Sequence, residues 1–418
     1  MSPDRNPRFT FPPALKYRDF RLLWTGLLVS IAGSMMQNAA ILWHIYVLTG
    51  SPLALGIVGL VRVLPIVGFS LISGVIADIY DRRKLMLASQ TGMAVCALLL
   101  GLIAFTGSRS VWSIYLLAGL SSTFSAFDLP ARQSLIPSLV PEDALANAFS
   151  LHATLFQAGS IAGPALSGIV IANFGIAWTY WLNGLSFLAV IVALLQISYR
   201  QKTKTEAQPV VSKKAIAEGL SFVRKTPIII SSMLLDFFAT FFSSATALLP
   251  IYAKDILHVG PLGYGWLYAS AAIGALFTGS FMSLMPSLGN QGKYLLISVL
   301  IYGFATVAFG FSTTFWIAFA ALALTGAADT VSMIIRNTIR QLNTPDSLRG
   351  RMVSINMIFF MGGPQLGELE AGLVASWRGA PFSVITGGIG SILSVLFVVW
   401  KWPMLWKYKR FEKEPSVS

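Results

Sequence analysis

Residues 74–84 read Gly74-Val-Ile-Ala-Asp78-Ile-Tyr-Asp81-Arg82-Arg83-Lys84, a short charged stretch between two long apolar runs. The run before it covers about 53–77 and the run after it about 86–105. Each run has roughly the 20 residues that a helix needs to cross a bilayer. Basic residues in short turns mark the cytoplasmic side of a membrane protein. The stretch therefore predicts two spanning helices joined by a cytoplasmic turn.

Apolar side chains dominate the rest of the chain as well. Of its 418 residues, 55 % are hydrophobic and 11 % are charged, and the mean hydropathy is +0.70. Soluble proteins carry about 25 % charged residues. The apolar blocks have the length of helices and lack the ~10-residue alternation of membrane barrels. The sequence thus predicts an all-α membrane protein.

Twelve apolar segments are long enough to span a bilayer, and a polar break separates the first six from the last six. We therefore expect two six-helix halves, at 22–197 and 228–400. They are flanked by a cytoplasmic N-terminal tail at 1–21, a cytoplasmic linker at 198–227 and a cytoplasmic C-terminal tail at 401–418.

The distribution of basic residues argues against nucleic-acid binding, although the net charge is +13. With both termini inside, 26 of the 30 Lys and Arg residues fall on the inner side. An even number of spans agrees with that placement.

Cys96 is the only cysteine and the three histidines are scattered, so no disulfide or metal site is expected within the chain.

The two halves resemble each other in sequence. At an offset of 204 residues, Arg132 falls on Arg336 and Gly168 on Gly372; at an offset of 209, Gly56 falls on Gly265. Both offsets keep the inner and outer sides, which predicts a parallel repeat with its axis along the membrane normal.

The 74–84 stretch resembles the signature of the major facilitator superfamily, in which a glycine is followed four residues later by an acid and then by a basic cluster. The superfamily usually has glycine where this chain has Asp81. The resemblance implies the major facilitator fold and a cytoplasmic gate, with Arg82 as the partner of Asp128. The predicted gate residues are Gly74, Asp78, Asp81, Arg82, Arg83, Lys84, Asp128, Arg132, Asp329 and Arg336.

A second stretch, Gly159-Ser-Ile-Ala-Gly163-Pro164-Ala-Leu-Ser-Gly168, resembles the glycine-proline motif of antiporters. Small residues allow close helix packing in lipid, so these four glycine and proline positions are also predicted packing residues. The stretches 130–137 and 344–351 resemble the branch that includes enterobactin exporters and macrolide efflux proteins, which are drug:proton antiporters.

Polar residues inside the spans predict a transport pathway. Arg62, Asp236, Glu368 and Glu370 lie ~12 Å or more inside their spans by helix rise, where a charge costs at least ~2.5 kcal/mol. An ion pair between Arg62 and Glu368 is predicted; it fits either a static packing bridge or a role in ligand or proton binding. Helical spacing also gives polar faces, which we expect to line a shared cavity: Gln37 with His44, Asp236 with Ser243, and Thr325 with Asp329. The predicted pathway residues are Gln37, Asn38, Arg62, Gln157, Asp236, Glu368 and Glu370.

These features favour a secondary transporter that works by alternating access. We expect a proton-coupled exporter of small amphipathic organic molecules, drugs or siderophores, acting as a monomer in a bacterial inner membrane without a cofactor. Uptake symport and lipid flipping on the same fold remain alternatives. A multispan membrane enzyme is disfavoured because no nucleophile elbow or paired-histidine motif is present, and the lack of a Walker A sequence disfavours ATP-driven transport.

Overall fold

A computed structural model describes residues 12–199, 213–285, 289–345 and 348–409, except for the side chains of 70, 71, 75, 78, 213–217, 219, 349–351, 353, 354, 357 and 358. The described part contains twelve long helices and no strand. They are α1 (Arg18–Thr49), α2 (Pro52–Ile79), α3 (Arg82–Phe105), α4 (Val111–Leu135), α5 (Leu145–Phe174), α6 (Ile176–Gln196), α7 (Pro227–Ile256), α8 (Gly260–Leu284), α9 (Gln291–Gly310), α10 (Phe315–Leu342), α11 (Arg349–Arg378) and α12 (Ala380–Lys401). A shorter linker helix, Lys213–Lys225, packs on α7 and α11.

Ten of these helices are long and apolar enough, by length and composition, to cross a membrane. The other two, α4 and α11, are 25 and 30 residues long but carry buried charges such as Asp128 and Glu368. Both pack between other helices of the bundle, α4 against α2 and α3, and α11 against α2 and α7. The predicted twelve-helix fold is confirmed.

The two halves use the same helix contacts. In the N-terminal half α1 packs on α5 and α6, α3 on α4 and α6, and α2 on α4. In the C-terminal half α7 packs on α11 and α12, α9 on α10 and α12, and α8 on α10. The halves meet along α2–α11 and α5–α8. This pattern is the parallel repeat that the sequence offsets predicted.

Glycines also occupy repeat-related positions at the two junctions between the halves. A Cβ atom on Gly372 would lie 2.7 Å from the Pro52 carbonyl oxygen and 2.8 Å from the Cα of Gly56. At the second junction, a Cβ on Gly168 would lie 2.6 Å from the Pro261 carbonyl oxygen. Because the backbones touch directly, only glycine fits at these positions.

The apolar core differs between the two ends of the bundle. We call the end that carries the linker helix and the 402–409 segment the termini end, and the opposite end the distal end. The core at the distal end combines both halves, with Ile41 and Leu55 packed in one cluster with Leu248 and Phe309. At the termini end each half has its own core cluster. The bundle is therefore closed at the distal end.

Candidate functional site

The α2–α3 turn ties the ends of two other helices together. Arg82 donates to the carbonyl oxygen of Ser134 at the end of α4, at 2.9 Å, and to the hydroxyl of Ser138 in the turn that follows α4, at 3.3 Å. Arg83 donates to the carbonyl oxygen of Leu195 at the end of α6, at 2.9 Å. Basic groups are favourable at helix C-termini because they bind free carbonyls and oppose the helix dipole.

Asp81, which replaces the usual glycine of the superfamily, begins α3. Its carboxylate accepts from the backbone N–H groups of Arg83 and Lys84, at 2.9 and 3.1 Å. Aspartate is a favoured residue at this helix N-cap position. Gly74 lies within α2 with open space around its Cα, and the side chain of Asp78 is outside the described residues.

Asp128 forms a buried cluster inside the N-terminal half. Its carboxylate accepts from the Nε of Arg132 at 3.1 Å, one turn away on α4, and from the Nε2 of Gln90 on α3 at 2.8 Å. The predicted pairing with Arg82 is therefore wrong. Arg132 is closer along the same helix, and Arg82 bonds to the end of α4 instead.

Arg336 forms a second buried cluster inside the C-terminal half. Its guanidinium makes an ion pair with Asp236 on α7, and the two side chains are 3 % and 5 % exposed. It also reaches the carboxylate of Asp329, which lies seven residues earlier on the same face of α10, at 3.4 Å. Asp329 is 42 % exposed. One guanidinium thus joins a buried carboxylate on one helix to an accessible carboxylate on another.

A cavity of about 160 Å³ adjoins this cluster between α7, α8, α9 and α10. Asp329, Ser243 and Thr325 line it, together with Tyr268 and Tyr302. Helical spacing had predicted that Thr325 and Asp329 share a cavity-facing side of α10, and both do border this space. The cavity lies within the C-terminal half, however, and not between the halves.

The polar face of α1 is turned toward α6. The Oε1 of Gln37 accepts from the Nδ2 of Asn183 at 2.8 Å, and the Nδ1 of His44 lies 3.1 Å from the Tyr180 hydroxyl. Asn183 and Tyr180 both belong to α6 and are fully buried. The expectation that Gln37 and His44 line a central cavity is thus wrong. These side chains join two helices of one half.

The other predicted pathway residues lie near the junction of the halves. Gln157 on α5 donates to the carbonyl oxygen of Ala272 on α8 at 2.7 Å. Arg62 donates to the backbone carbonyl of Asn38 at 3.2 Å. The predicted ion pair between Arg62 and Glu368 is not formed, although the two charges interact electrostatically. Glu370, two residues on, is half-buried.

The glycine-proline motif packs α5 against two neighbours. A Cβ atom on Gly159 would lie 2.6 Å from the Ile31 side chain of α1. A Cβ atom on Gly163 would lie 2.6 Å from the Ala32 carbonyl oxygen of the same helix. The carbonyl oxygen of Pro164 and the backbone of Gly168 lie against Gly265 of α8. The motif therefore contacts the other half as well as α1.

A cluster that sequence reasoning missed closes the distal end. The Tyr46 hydroxyl of α1 donates to the carboxylate of Asp255 on α7, and the Lys254 ammonium lies 5.5 Å from the centre of the Tyr46 ring. Tyr264 of α8 donates to the Ala39 carbonyl oxygen at 2.8 Å. All of these contacts join the two halves. The sequence did contain a signal, because Lys254 is one of few basic residues on the predicted outer side.

The sequence matches the family described as transmembrane secretion effector, over residues 10–415. The chain belongs to this family of major facilitator transporters. The transporter is 26 % identical to the enterobactin exporter EntS of Citrobacter koseri over 405 residues, which covers 95 % of this chain and 94 % of the relative. It is 27 % identical to the multidrug efflux pump Tap of Mycolicibacterium fortuitum over 369 residues, 86 % of this chain and 89 % of that one.

Among solved structures, the nucleoside transporter NupG has a TM-score of 0.72 at 12 % identity, covering 94 % of this chain and 100 % of NupG, which shows the shared fold. The family consists of transporters and not of enzymes. Within the described ranges, no three His, Cys, Asp or Glu side chains of the transporter are grouped to hold a metal ion.

Proposed function

We propose that the transporter is a proton-coupled exporter of small amphipathic organic molecules, drugs or siderophores. The relatives named as an enterobactin exporter and a multidrug efflux pump support this substrate class and direction. The observation that carries proton coupling is the buried ion pair between Asp236 and Arg336. Ionisable groups at such depth in a membrane protein mark ion or substrate pathways.

The geometry gives a way for a proton to change the conformation. Arg336 has two carboxylate partners, one buried and one accessible from the 160 Å³ cavity. A proton on Asp236 removes the charge that binds Arg336 to α7 and leaves Asp329 as its partner on α10. Because α7 and α10 are then no longer joined by an ion pair, the balance between two packings of the C-terminal half changes. Glu368 and Glu370 are further candidate carriers.

Removing one partner of a buried ion pair destabilises a protein by about 3–5 kcal/mol. Moving a two-state equilibrium from 1:99 to 99:1 takes about 5.5 kcal/mol. A single protonation at Asp236 is therefore of the right size to bias alternating access. The closed distal end represents one of the two states, and the Tyr46–Asp255 contact is a candidate outer gate that must open in the other.

Accumulation assays test the function directly. Cells with the transporter should accumulate less of at least one dye, antibiotic or siderophore than cells without it. Depleting ATP while the proton gradient is preserved should leave that difference intact, and collapsing the gradient should remove it. Higher accumulation in cells with the transporter would favour the uptake alternative, and loss of efflux on ATP depletion alone would contradict proton coupling.

We further propose a bacterial inner-membrane location, a monomer, and both termini in the cytoplasm. The basic residues concentrated at the termini end support this orientation. Ser110 and Ser376 are exposed at the distal end, and Asp143 and Lys407 are exposed at the termini end. A cysteine at either of the first two positions should react with an impermeant thiol reagent on intact cells. Cysteines at the other two should react only after permeabilisation.

A further inference from the structure

The segment that follows α12 folds back over the termini end of the C-terminal half. Proline disfavours helix in the residue before it, and Pro403 follows Trp402, so α12 ends at Lys401. Two tight turns come next. The Leu405 N–H donates to the Trp402 carbonyl oxygen at 3.0 Å, and the Tyr408 N–H donates to the Leu405 carbonyl oxygen at 3.2 Å. We call residues 402–408 the strap.

The strap is docked on the core of this half. Leu405 is 0 % exposed and belongs to the same apolar cluster as Leu296 of α9 and Ile339 of α10. The strap also passes close to the backbone of α9 at Gly292, where a Cβ atom would lie 1.7 Å from the Leu405 carbonyl oxygen. Only glycine fits there, because a side chain would occupy the space that the strap fills.

Tyr408 of the strap binds the ends of two helices. Its carbonyl oxygen accepts from the backbone N–H of Gly292 at 3.0 Å, and its hydroxyl accepts from the Nδ2 of Asn343 at 2.9 Å. Gly292 lies in the first turn of α9, where backbone N–H groups lack partners within the helix, and the side chain of Asn290 makes no capping bond. Asn343 is the C-cap residue of α10. Tyr408 therefore joins the start of α9 to the end of α10.

The turn between α2 and α3 makes the equivalent connections in the N-terminal half with its own side chains. Asp81 caps α3, while Arg82 and Arg83 bind the ends of α4 and α6. By the contact pattern of the repeat, α3, α4 and α6 correspond to α9, α10 and α12. At the offset of 209 residues, Asp81 falls on Asn290 and Arg83 falls on Gly292. The C-terminal half thus has glycine, which admits the strap, where the N-terminal half has a guanidinium.

The basic residue that remains in the equivalent turn contacts the strap as well. The Lys293 ammonium lies 6.0 Å from the Trp406 ring centre, a distance at which a cation and an aromatic ring attract each other. Trp406 is 44 % exposed, so this contact is close to water and is weaker than a buried one. The connections at this end therefore depend on Leu405 and Tyr408 more than on Lys293.

We propose that the strap is the latch at the termini end of the C-terminal half, and that transport depends on it. The strap replaces the cap and the helix-end bonds that the charged turn supplies in the other half. It holds the end of α10 against α9, and α10 carries Arg336, whose guanidinium pairs with Asp236 of α7. Leu405 and Tyr408 are thus positioning residues, which act through α10. The inference goes beyond the proposed function, because such a latch would serve any substrate or coupling ion.

Hydrogen–deuterium exchange of the full-length transporter in nanodiscs tests the latch. Leu405→Ala empties the docked position and Gly292→Ala forces the strap away from α9. Each should raise the exchange rate of backbone amides at the start of α9 and the end of α10 at least tenfold. Tyr408→Phe removes only the hydroxyl and should raise exchange severalfold at the end of α10. Met404→Ala is the matched control and should change nothing, because Met404 is the neighbouring strap residue and is 47 % exposed.

The rate of transport separates positioning from a general loss of folding. Leu405→Ala should lower the maximal efflux rate per folded protein severalfold, while the substrate concentration at half-maximal rate stays unchanged. Leu405→Met, which refills the space, should restore both the rate and the slow exchange.

Unchanged exchange at the end of α10 in Leu405→Ala and Gly292→Ala, or an unchanged maximal rate in Leu405→Ala, would overturn the proposal. If those two variants do not fold, Tyr408→Phe must still raise exchange at the end of α10 for the proposal to stand. The exchange measurement needs no substrate. Absence of any export would therefore refute the proposed function and leave the test of the latch in force.

Discussion

Arg132 and Arg336 occupy equivalent positions in the two halves but bind their carboxylates differently. Arg132 pairs with Asp128 one turn earlier on the same helix and stays 16 % exposed. Arg336 is 3 % exposed and pairs with Asp236 on another helix. The first pair belongs to α4 alone and reaches α3 only through Gln90. The second pair joins α7 to α10.

The packing of the halves, by contrast, has stayed symmetric. The same helices touch in each half, and the glycine pairs Gly56–Gly372 and Gly168–Gly265 are related by the repeat. Close backbone contact tolerates no side chain, whereas charges can be exchanged between helices once a partner is available. The transporter therefore combines a symmetric scaffold with asymmetric chemistry, and among the described side chains the ion pair that joins two helices is Asp236–Arg336 of the C-terminal half.

The largest effect is expected from removing one member of the interhelical pair. Asp236→Ala leaves Arg336 buried with a single, weaker partner, and should destabilise the transporter by about 3–5 kcal/mol. Asp128→Ala should cost less, because Arg132 can reach water. Thermal unfolding in detergent measures both. The double variant Asp236→Ala with Arg336→Met should recover part of the loss; equal losses for Asp128→Ala and Asp236→Ala would contradict the asymmetry.

A smaller effect is expected at the symmetric glycine contacts. Gly168→Ala and Gly372→Ala each force a methyl group against the backbone of the other half, at a cost of about 1–3 kcal/mol by overpacking. Similar losses of stability at the two positions would support a symmetric scaffold. Gly279→Ala is the control, because the new methyl group would lie 3.8 Å from its nearest neighbour. A loss at only one junction would show that the packing is asymmetric too.

The smallest effect is expected at the two equivalent turns. Arg82→Ala removes the bonds to the end of α4, so its transport rate should fall severalfold with little loss of folded protein. Lys293 is the basic residue of the equivalent turn in the C-terminal half, and its ammonium lies 6.0 Å from the Trp406 ring centre. Lys293→Ala should change the transport rate less. Equal rates for the two variants in vesicles would remove the proposed difference between the turns.

The fold could be predicted from the sequence because span length, basic turns and the repeat are local signals. The apolar segments that form α4 and α11 were predicted as spans from their length, although both helices carry buried charges such as Asp128 and Glu368. Helical spacing also identified the polar faces of α7 and α10 correctly, since Ser243, Thr325 and Asp329 share one cavity.

Partner choice could not be predicted in the same way. Spacing shows which residues share a face and leaves open which helix that face meets, so Gln37 and His44 were assigned to a cavity when they bind α6. Depth along the span suggested that Arg62 pairs with Glu368, but similar depth does not fix the rotation of either helix. The Tyr46–Asp255 contact joins residues 209 apart, and the neighbouring signal, Lys254 on the predicted outer side, did not identify either partner.

The most direct test of the central claim is the number of protons moved per substrate in proteoliposomes loaded with a pH-sensitive dye. Substrate added to the wild type should drive proton movement in the opposite direction. Asp128→Asn should slow both fluxes but keep their ratio, because its ion pair is confined to one helix. Asp236→Asn should still bind substrate while the coupled proton flux disappears. A wild-type ratio in Asp236→Asn would contradict the account.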